Sequence, residues 1–186
     1  MRFAYCRAAL IAASVVLVTP AHAQLVNENL LVTVPPGYKI DHQARNERQL
    51  INEMVPQGES VKDWTEMVTV QIFFNRKRLA PQAMRDSIAQ GWMKACPNGI
   101  LQPVVDTTES GYPTLIWQLS CPNNPQTGKP EWTWFKAVSG NDSFYMVQKA
   151  FRFDPSKEQI ATWMRYLKTV TVCDSRLADR ACPATR

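Results

Sequence analysis

The stretch EWTWFKAVSGNDSFYMVQKAFRF, residues 131–153, holds two Trp, four Phe and one Tyr around the polar segment SGND. Gly, Asn and Asp favour turns, so the stretch predicts two antiparallel strands joined as a hairpin. Alternation along the first strand divides its apolar side chains between two faces, Trp132, Trp134 and Val138 against Phe135 and Ala137. Because both faces are apolar, we expect a central hairpin covered on both sides. The alternative is an exposed platform in which Trp132 and Trp134 bind a ligand.

Other segments have the composition of strands. β-Branched and aromatic residues alternate or run together in them, and Pro, Gly and Asn mark their ends. The predicted strands are residues 30–34, 38–41, 49–56, 64–74, 100–107 and 114–121. We expect the first four to be consecutive antiparallel strands.

Two further segments have the period of an amphipathic helix. The first follows Pro81, repeats apolar residues at Met84, Ile88 and Trp92, and ends at the turn-forming residues 96–99. The second has a predicted N-cap and first-turn proline, Asp154 and Pro155, and an apolar face of Ile160, Trp163, Met164 and Leu167. The predicted fold class is therefore α+β, an antiparallel β-sheet flanked by two or more amphipathic helices.

The N-terminus has the organisation of a secretory signal peptide. Arg2 and Arg7 precede an apolar run at residues 8–18, and AHA at residues 21–23 matches a cleavage site. The run is shorter than the roughly 20 residues that a membrane-spanning helix needs. We therefore expect residues 1–23 to be removed, leaving an exported protein, periplasmic or secreted, without a transmembrane segment.

The predicted mature chain, residues 24–186, is small and weakly basic. Its 163 residues suit a single α+β domain with a sizeable core. It contains 19 Lys and Arg against 16 Asp and Glu, a net charge of +3. That charge is too small to indicate a nucleic-acid partner.

Four cysteines remain after removal of the signal, Cys96, Cys121, Cys173 and Cys182. An even number in an oxidising compartment predicts two disulfides. Of the three pairings, we favour Cys96 with Cys121 and Cys173 with Cys182, since short-range structure can bring each pair together. The second bridge would hold the C-terminal tail. A zinc site is the alternative, but there is no Cys-x-x-Cys and His42 is the only mature histidine, so we expect no metal.

The order of strands, helix, strands, hairpin and closing helix, with a Pro-Gly turn near the start, resembles the PsbP-like α/β fold. The phrases GKPEWTWFKAVSGNDSFYMVQKAFR and VPQGESVKDWTEMVTVQIF are also similar to a set of uncharacterised exported bacterial proteins. This second resemblance covers most of the mature chain and carries no assigned activity. The first implies a fold used mainly for docking to other proteins, with no catalytic motif to transfer.

The sequence contains little that indicates catalysis. Nucleophilic catalysis with a histidine base would have to use His42, which lies in a polar segment, and no serine lies in a G-x-S-x-G elbow. No phosphate-loop or dinucleotide motif occurs, so we expect no cofactor. Two carboxylates brought together by the fold could support glycoside hydrolysis, and the candidates are Glu53, Glu59, Asp63 and Glu66.

The one concentrated charge feature is NRKR, which places Arg76, Lys77 and Arg78 between the 64–74 strand and the first helix. Arg45 and Arg48 could lie nearby. One interpretation is a solvated loop that keeps a sheet edge soluble. The other is a patch for an anionic surface, such as lipid head groups, or for an acidic envelope protein.

Three function classes remain. The first is a non-catalytic binding or assembly factor of the cell envelope, which agrees with export, disulfides and the lack of catalytic motifs. The second is a carrier of a small apolar ligand or lipid, because the chain has six Trp. The third is a hydrolase that uses acidic residues. A filled core favours the binding factor, an apolar cavity beneath Trp132 and Trp134 the carrier, and converging carboxylates the hydrolase.

Overall fold

The computed structural model describes residues 25–183, and in this part of the chain two α-helices and nine strands form. The strands are β1 Glu28–Leu31, β2 Tyr38–Arg45, β3 Gln49–Pro56, β4 Glu66–Phe74, β5 Ile100–Glu109, β6 Tyr112–Asn124, β7 Lys129–Ser139, β8 Ser143–Phe151 and β9 Thr171–Asp174. The helices are α1 Pro81–Ala95 and α2 Lys157–Thr169, and a short 3-10 helix follows at Ala178–Arg180.

The strands β2 to β8 form one antiparallel sheet in the order β2-β3-β4-β8-β7-β6-β5. The hairpin of β7 and β8 lies inside this sheet, with β8 paired to β4 and β7 paired to β6. Across the hairpin, Trp134 lies opposite Lys149 and Lys136 opposite Val147. The prediction of a central hairpin is confirmed.

One helix packs on each face of the sheet. On what we call the α1 face, Ala89 of α1 packs in a core cluster with Phe135 and Phe144. On the opposite α2 face, Leu167 of α2 packs in a second cluster with Trp134. Alternation therefore divides the hairpin as expected, and an α+β fold with a large antiparallel sheet and two helices is confirmed. The PsbP-like assignment stays a prediction.

The strands β1 and β9 form a separate two-stranded antiparallel sheet, with Leu30 opposite Val172. Val172 packs with Tyr112, Val138 and Tyr145 of the main sheet. The small sheet therefore covers the part of the α2 face that lies beside the end of α2.

The prediction for this region was wrong in two respects. Residues 30–34 do not begin the main sheet, since β1 is shifted toward the N-terminus and pairs with β9 rather than with β2. Pro35 and Pro36 follow it and have no N–H to donate to a strand ladder, which separates β1 from β2. The strand β9 was not predicted, because four residues are too few to show a period.

The N-terminus of α2 also differs from the prediction. Ser156, not Asp154, is the N-cap, and it forms a capping box with Gln159 in which each side chain accepts from the other residue's backbone N–H. Asp154 instead accepts a hydrogen bond from the indole N–H of Trp132 at 2.8 Å. Because a capping box satisfies two N–H groups at once, the serine two residues further on is the better cap.

Two disulfides hold the ends of elements. Cys96, directly after α1, is bonded to Cys121 of β6, and Cys173 of β9 is bonded to Cys182 after the 3-10 helix. This is the pairing that the sequence favours. The second bridge ties the tail to β9, as expected.

The predicted signal peptide, residues 1–23, lies outside the described residues. Within residues 25–183, no helix combines the length and the apolar character that a membrane crossing requires.

Candidate binding surface

Four chain connections meet at one end of the main sheet, which we call the turn end. They are residues 46–48, 75–80, 110–111 and 140–142. The antiparallel register brings them together, because Phe74 at the end of β4 lies opposite Ser143 at the start of β8. Side chains from distant parts of the sequence therefore share this end.

The NRKR segment lies at the turn end, where Arg76, Lys77 and Arg78 are all exposed. Asn75 and Arg78 adopt left-handed backbone conformations, with φ of 58° and 54°. The N–H of Arg78 donates to the carbonyl of Gly140 at 3.3 Å. The segment is thus a tight turn held against the β7–β8 connection.

The β2–β3 turn brings two more cations to the same end. The guanidinium of Arg45 lies 4.8 Å from the ring centroid of Phe74, which is within the range of a cation–π contact. The carbonyl of Arg48 accepts from the N–H of Phe74 at 2.8 Å. Both arginines are exposed, so the proximity considered from the sequence is present in the structure.

These five cations differ from Arg85, Arg176 and Arg180 in how their charge is balanced. Arg176 lies 2.6 Å from Asp174 and 2.7 Å from Asp142, and its hydrogen bonds hold the pKa of Asp174 below its usual range. Arg85 and Arg180 are also paired with carboxylates. The five cations at the turn end form no ion pair with a carboxylate of residues 25–183. They are Arg45, Arg48, Arg76, Lys77 and Arg78.

Two open clefts lie on either side of the NRKR turn. One, of about 610 Å³, lies between Arg45 and Asp142. The other, of about 500 Å³, lies between Arg78, in the loop before α1, and Asn141. The NRKR turn is therefore a basic ridge between two concave surfaces.

The β7–β8 turn that borders both clefts is held by Glu28 of β1. The Glu28 carboxylate accepts from the backbone N–H groups of Asn141, Asp142 and Ser143 at 2.7 to 3.3 Å and from the hydroxyl of Tyr145 at 3.0 Å. Burial, and then the charge of Glu28, raises the pKa of Tyr145. The turn is thereby fixed to the small β1–β9 sheet.

The two tryptophans considered as a platform have different environments. Trp134 is buried at 7 % exposure and meets Phe151 edge to face, at 5.9 Å between ring centroids. Trp132 is half-buried and stacks on Trp134 at 6.4 Å. The apolar space beneath them is filled by α2 side chains, including Leu167 and Met164. Trp134 is thus a core residue.

Two of the four candidate carboxylates are engaged in structural contacts. Glu66 accepts from the hydroxyl of Tyr38 at 2.7 Å and from the ammonium of Lys149 at 2.6 Å. Glu59 accepts from the backbone N–H and the hydroxyl of Thr65. Burial raises the pKa of Glu59, but these hydrogen bonds outweigh it and hold the pKa below its usual range. A general acid needs the opposite shift.

The other candidates for catalysis are Asp63, Glu53 and His42. Asp63 exchanges backbone hydrogen bonds with Ser60 in the loop before β4. Glu53 lies on β3, opposite His42 of the edge strand β2. His42 is exposed, as expected for a surface histidine. Within residues 25–183, no group of three His, Cys, Asp or Glu is placed to hold a metal ion.

Sequence reasoning missed two fully buried lysines on the α2 face. Lys149 lies 3.8 Å from the ring centroid of Trp163 as well as contacting Glu66, and burial lowers its pKa to about 8. Lys136 donates to the carbonyls of Leu167 and Val170 at the end of α2 and to the carboxylate of Glu109. The sequence could have indicated their burial, because the residues two positions before and after each lysine are apolar, and alternate residues of a strand share one face.

Comparison with known proteins assigns no family. No protein-family model matches the chain, and no curated protein matches its sequence. Among solved structures, a mutant of the protein Mog1 is 11 % identical, with a TM-score of 0.45 over 74 % of this chain and 78 % of that one. The Saccharomyces cerevisiae Ran-binding protein Mog1p is 9 % identical, with a TM-score of 0.44 over 77 % and 85 %. Similarity at this level assigns neither family nor function.

Proposed function

We propose that this protein is a non-catalytic binding protein of the cell envelope that docks on an acidic partner protein through its turn end. The observation that carries the proposal is the set of five exposed cations there, which have no carboxylate partner within residues 25–183. Unpaired surface cations are free to complement an acidic surface, and they speed the encounter with it.

The shape of the turn end favours a protein partner over a flat membrane surface. The ridge formed by Arg76, Lys77 and Arg78 lies between clefts of about 610 and 500 Å³. The two clefts can accept side chains of a partner protein on both sides of the charged ridge, whereas a flat lipid surface would contact only the ridge.

The envelope location rests on the sequence. Residues 1–23 have the pattern of a signal peptide, and two disulfides suit an oxidising compartment, the periplasm or the exterior. The resemblance to exported bacterial proteins and to the PsbP-like fold, used mainly for docking, agrees with this proposal.

The packing gives no support to the other two function classes. A carrier needs space beneath Trp132 and Trp134, and α2 fills that space. A glycoside hydrolase needs one acid of raised pKa, whereas hydrogen bonds lower the pKa of Glu59 and Glu66 is bound to Lys149.

The experiment is charge reversal at the ridge. Arg76, Lys77 and Arg78 are replaced together by Glu, and binding to polyglutamate is measured at low salt. We expect binding at least tenfold weaker than wild type, since three attractive contacts become repulsive.

The matched control replaces three exposed lysines near the opposite end of the sheet, Lys62, Lys129 and Lys157, by Glu. Both variants have the same net charge, so equal losses of binding would mean that net charge rather than the turn end is responsible. Wild-type binding to anionic liposomes without binding to polyglutamate would replace the protein partner with a membrane.

A further inference from the structure

A third pocket lies at the end of the sheet opposite to the turn end and is independent of the proposed docking surface. It has a volume of about 440 Å³ and is open to solvent. Tyr38 and Glu66, at the starts of β2 and β4, line it from the sheet, and Thr162 and Trp163 line it from α2. It therefore combines two aromatic rings with a carboxylate.

The Glu66 side chain lines this pocket, and only one of its carboxylate oxygens accepts hydrogen bonds within residues 25–183. Its Oε2 accepts from both Tyr38 and Lys149. Its Oε1 has no hydrogen-bond partner within residues 25–183, and the side chain is 20 % exposed. A partly desolvated carboxylate oxygen with a free lone pair favours a donor of positive charge.

The two aromatic rings of the lining, Tyr38 and Trp163, already contact one ammonium group, that of Lys149. The Nζ of Lys149 lies 3.8 Å from the ring centroid of Trp163 and 5.0 Å from that of Tyr38. The two rings meet edge to face at 5.3 Å. The two rings that line the pocket thus already take part in cation–π contacts with an alkylammonium, which is the interaction that an ammonium in the pocket would use.

The charge around the pocket is negative on balance. Glu66 lines it from the sheet and Glu158 from the first turn of α2, and Glu59 is close enough to act on the charge of Lys149. Among the described residues, the pocket lining contains the carboxylates of Glu66 and Glu158 and no Lys or Arg side chain, so a cation in the pocket would be attracted.

We propose that this pocket accepts the side-chain ammonium of a lysine that protrudes from a partner protein. An open pocket cannot enclose a free small molecule, whose sites usually bury most of the ligand surface. One free oxygen on Glu66 suits the point charge of lysine, whereas arginine binds carboxylates best through two oxygens.

The test uses the probe peptide acetyl-Gly-Gly-Lys-Gly-Gly-amide, with the indole N–H of Trp163 followed by NMR. We expect a saturable shift, and binding about fivefold weaker when the lysine is acetylated or replaced by arginine. Thr162→Trp, an exposed position on the pocket wall, should abolish the shift by filling the pocket. Ala161→Trp, exposed at the neighbouring position of α2 but outside the pocket lining, is the matched control and should bind as wild type.

Thermal unfolding of both variants shows whether they are folded, so that a lost shift reports the pocket and not the fold. The proposal is overturned if wild type gives no saturable shift at Trp163. Equal binding of the acetylated peptide would exclude the ammonium, tighter binding of the arginine peptide would exclude the preference for lysine, and an unchanged shift in Thr162→Trp would exclude this pocket.

Discussion

Replacing Lys149 by Met should remove a component of the pH dependence of stability. Lys149 is fully buried between Glu66 and aromatic rings, and burial lowers its pKa to about 8 from 10.5. Between these values the unfolded chain binds more protons at this position than the folded chain does. The free energy of unfolding therefore rises with pH in that window.

The magnitude follows from the two pKa values. For 10.5 in the unfolded chain and about 8 in the folded chain, linkage gives a gain of about 1 kcal/mol in the free energy of unfolding between roughly pH 7.5 and 9. The pH range of the measurement ends at about 9 because burial raises the pKa of Tyr38. Unfolded tyrosines ionise near pH 10, and above that value the raised folded pKa makes stability fall.

The assay is urea unfolding followed by tryptophan fluorescence at several pH values in this window. Wild type minus Lys149→Met should show the gain of about 1 kcal/mol, whatever the absolute stability of the variant, which for a buried ion pair can change in either direction. Lys129→Met, at an exposed position, should keep the wild-type slope. Identical slopes for wild type and Lys149→Met would refute the assignment of a depressed pKa to Lys149.

The core, the β7–β8 turn and one disulfide can each be tested by a single change. Trp134→Ala and Phe135→Ala remove rings buried on opposite faces, and each should cost about 3 to 5 kcal/mol in thermal unfolding; a wild-type melting temperature for either would contradict a core on that face. Glu28→Ala leaves three backbone N–H groups without their acceptor and should lower the free energy of unfolding, measured in urea, by about 1 to 3 kcal/mol. An unchanged urea midpoint would contradict a stabilising role for this contact. Replacing Cys96 and Cys121 by Ala opens a loop with a sequence separation of 25 and should cost about 3 kcal/mol; peptide mapping without reduction that links Cys96 to another cysteine would show the pairing to be wrong.

Alternation made the central hairpin predictable. In an exposed hairpin one face is polar, so apolar residues on both sides of β7, such as Trp134 and Phe135, require cover on both sides. The helices α1 and α2 provide it, and the helical spacing of their apolar residues is visible in the sequence. Features that depend on neighbouring residues, such as periodicity and turns, could therefore be predicted from the sequence.

Features that depend on distant partners were not readable. The pairing of β1 with β9 joins strands more than a hundred residues apart, and β9 is too short to show a pattern. The sequence allowed Arg45 and Arg48 to lie near the NRKR segment, but only the pairing of β2, β3 and β4 in register places them there. Sequence composition contains the charges but not their placement.

The two buried lysines make directional contacts with α2, which apolar packing on the α2 face does not provide. Apolar burial is non-directional, so the stripe of α2 determines which side faces the sheet but hardly where the helix lies along it. Lys136 binds the carbonyls of Leu167 and Val170 at the C-terminal end of α2, and Lys149 lies against Trp163 in its middle. Sliding the helix by one turn, about 5.4 Å, would leave both ammonium groups buried without these partners. The two lysines therefore fix the position of α2, and with it the position of Trp163 in the pocket wall.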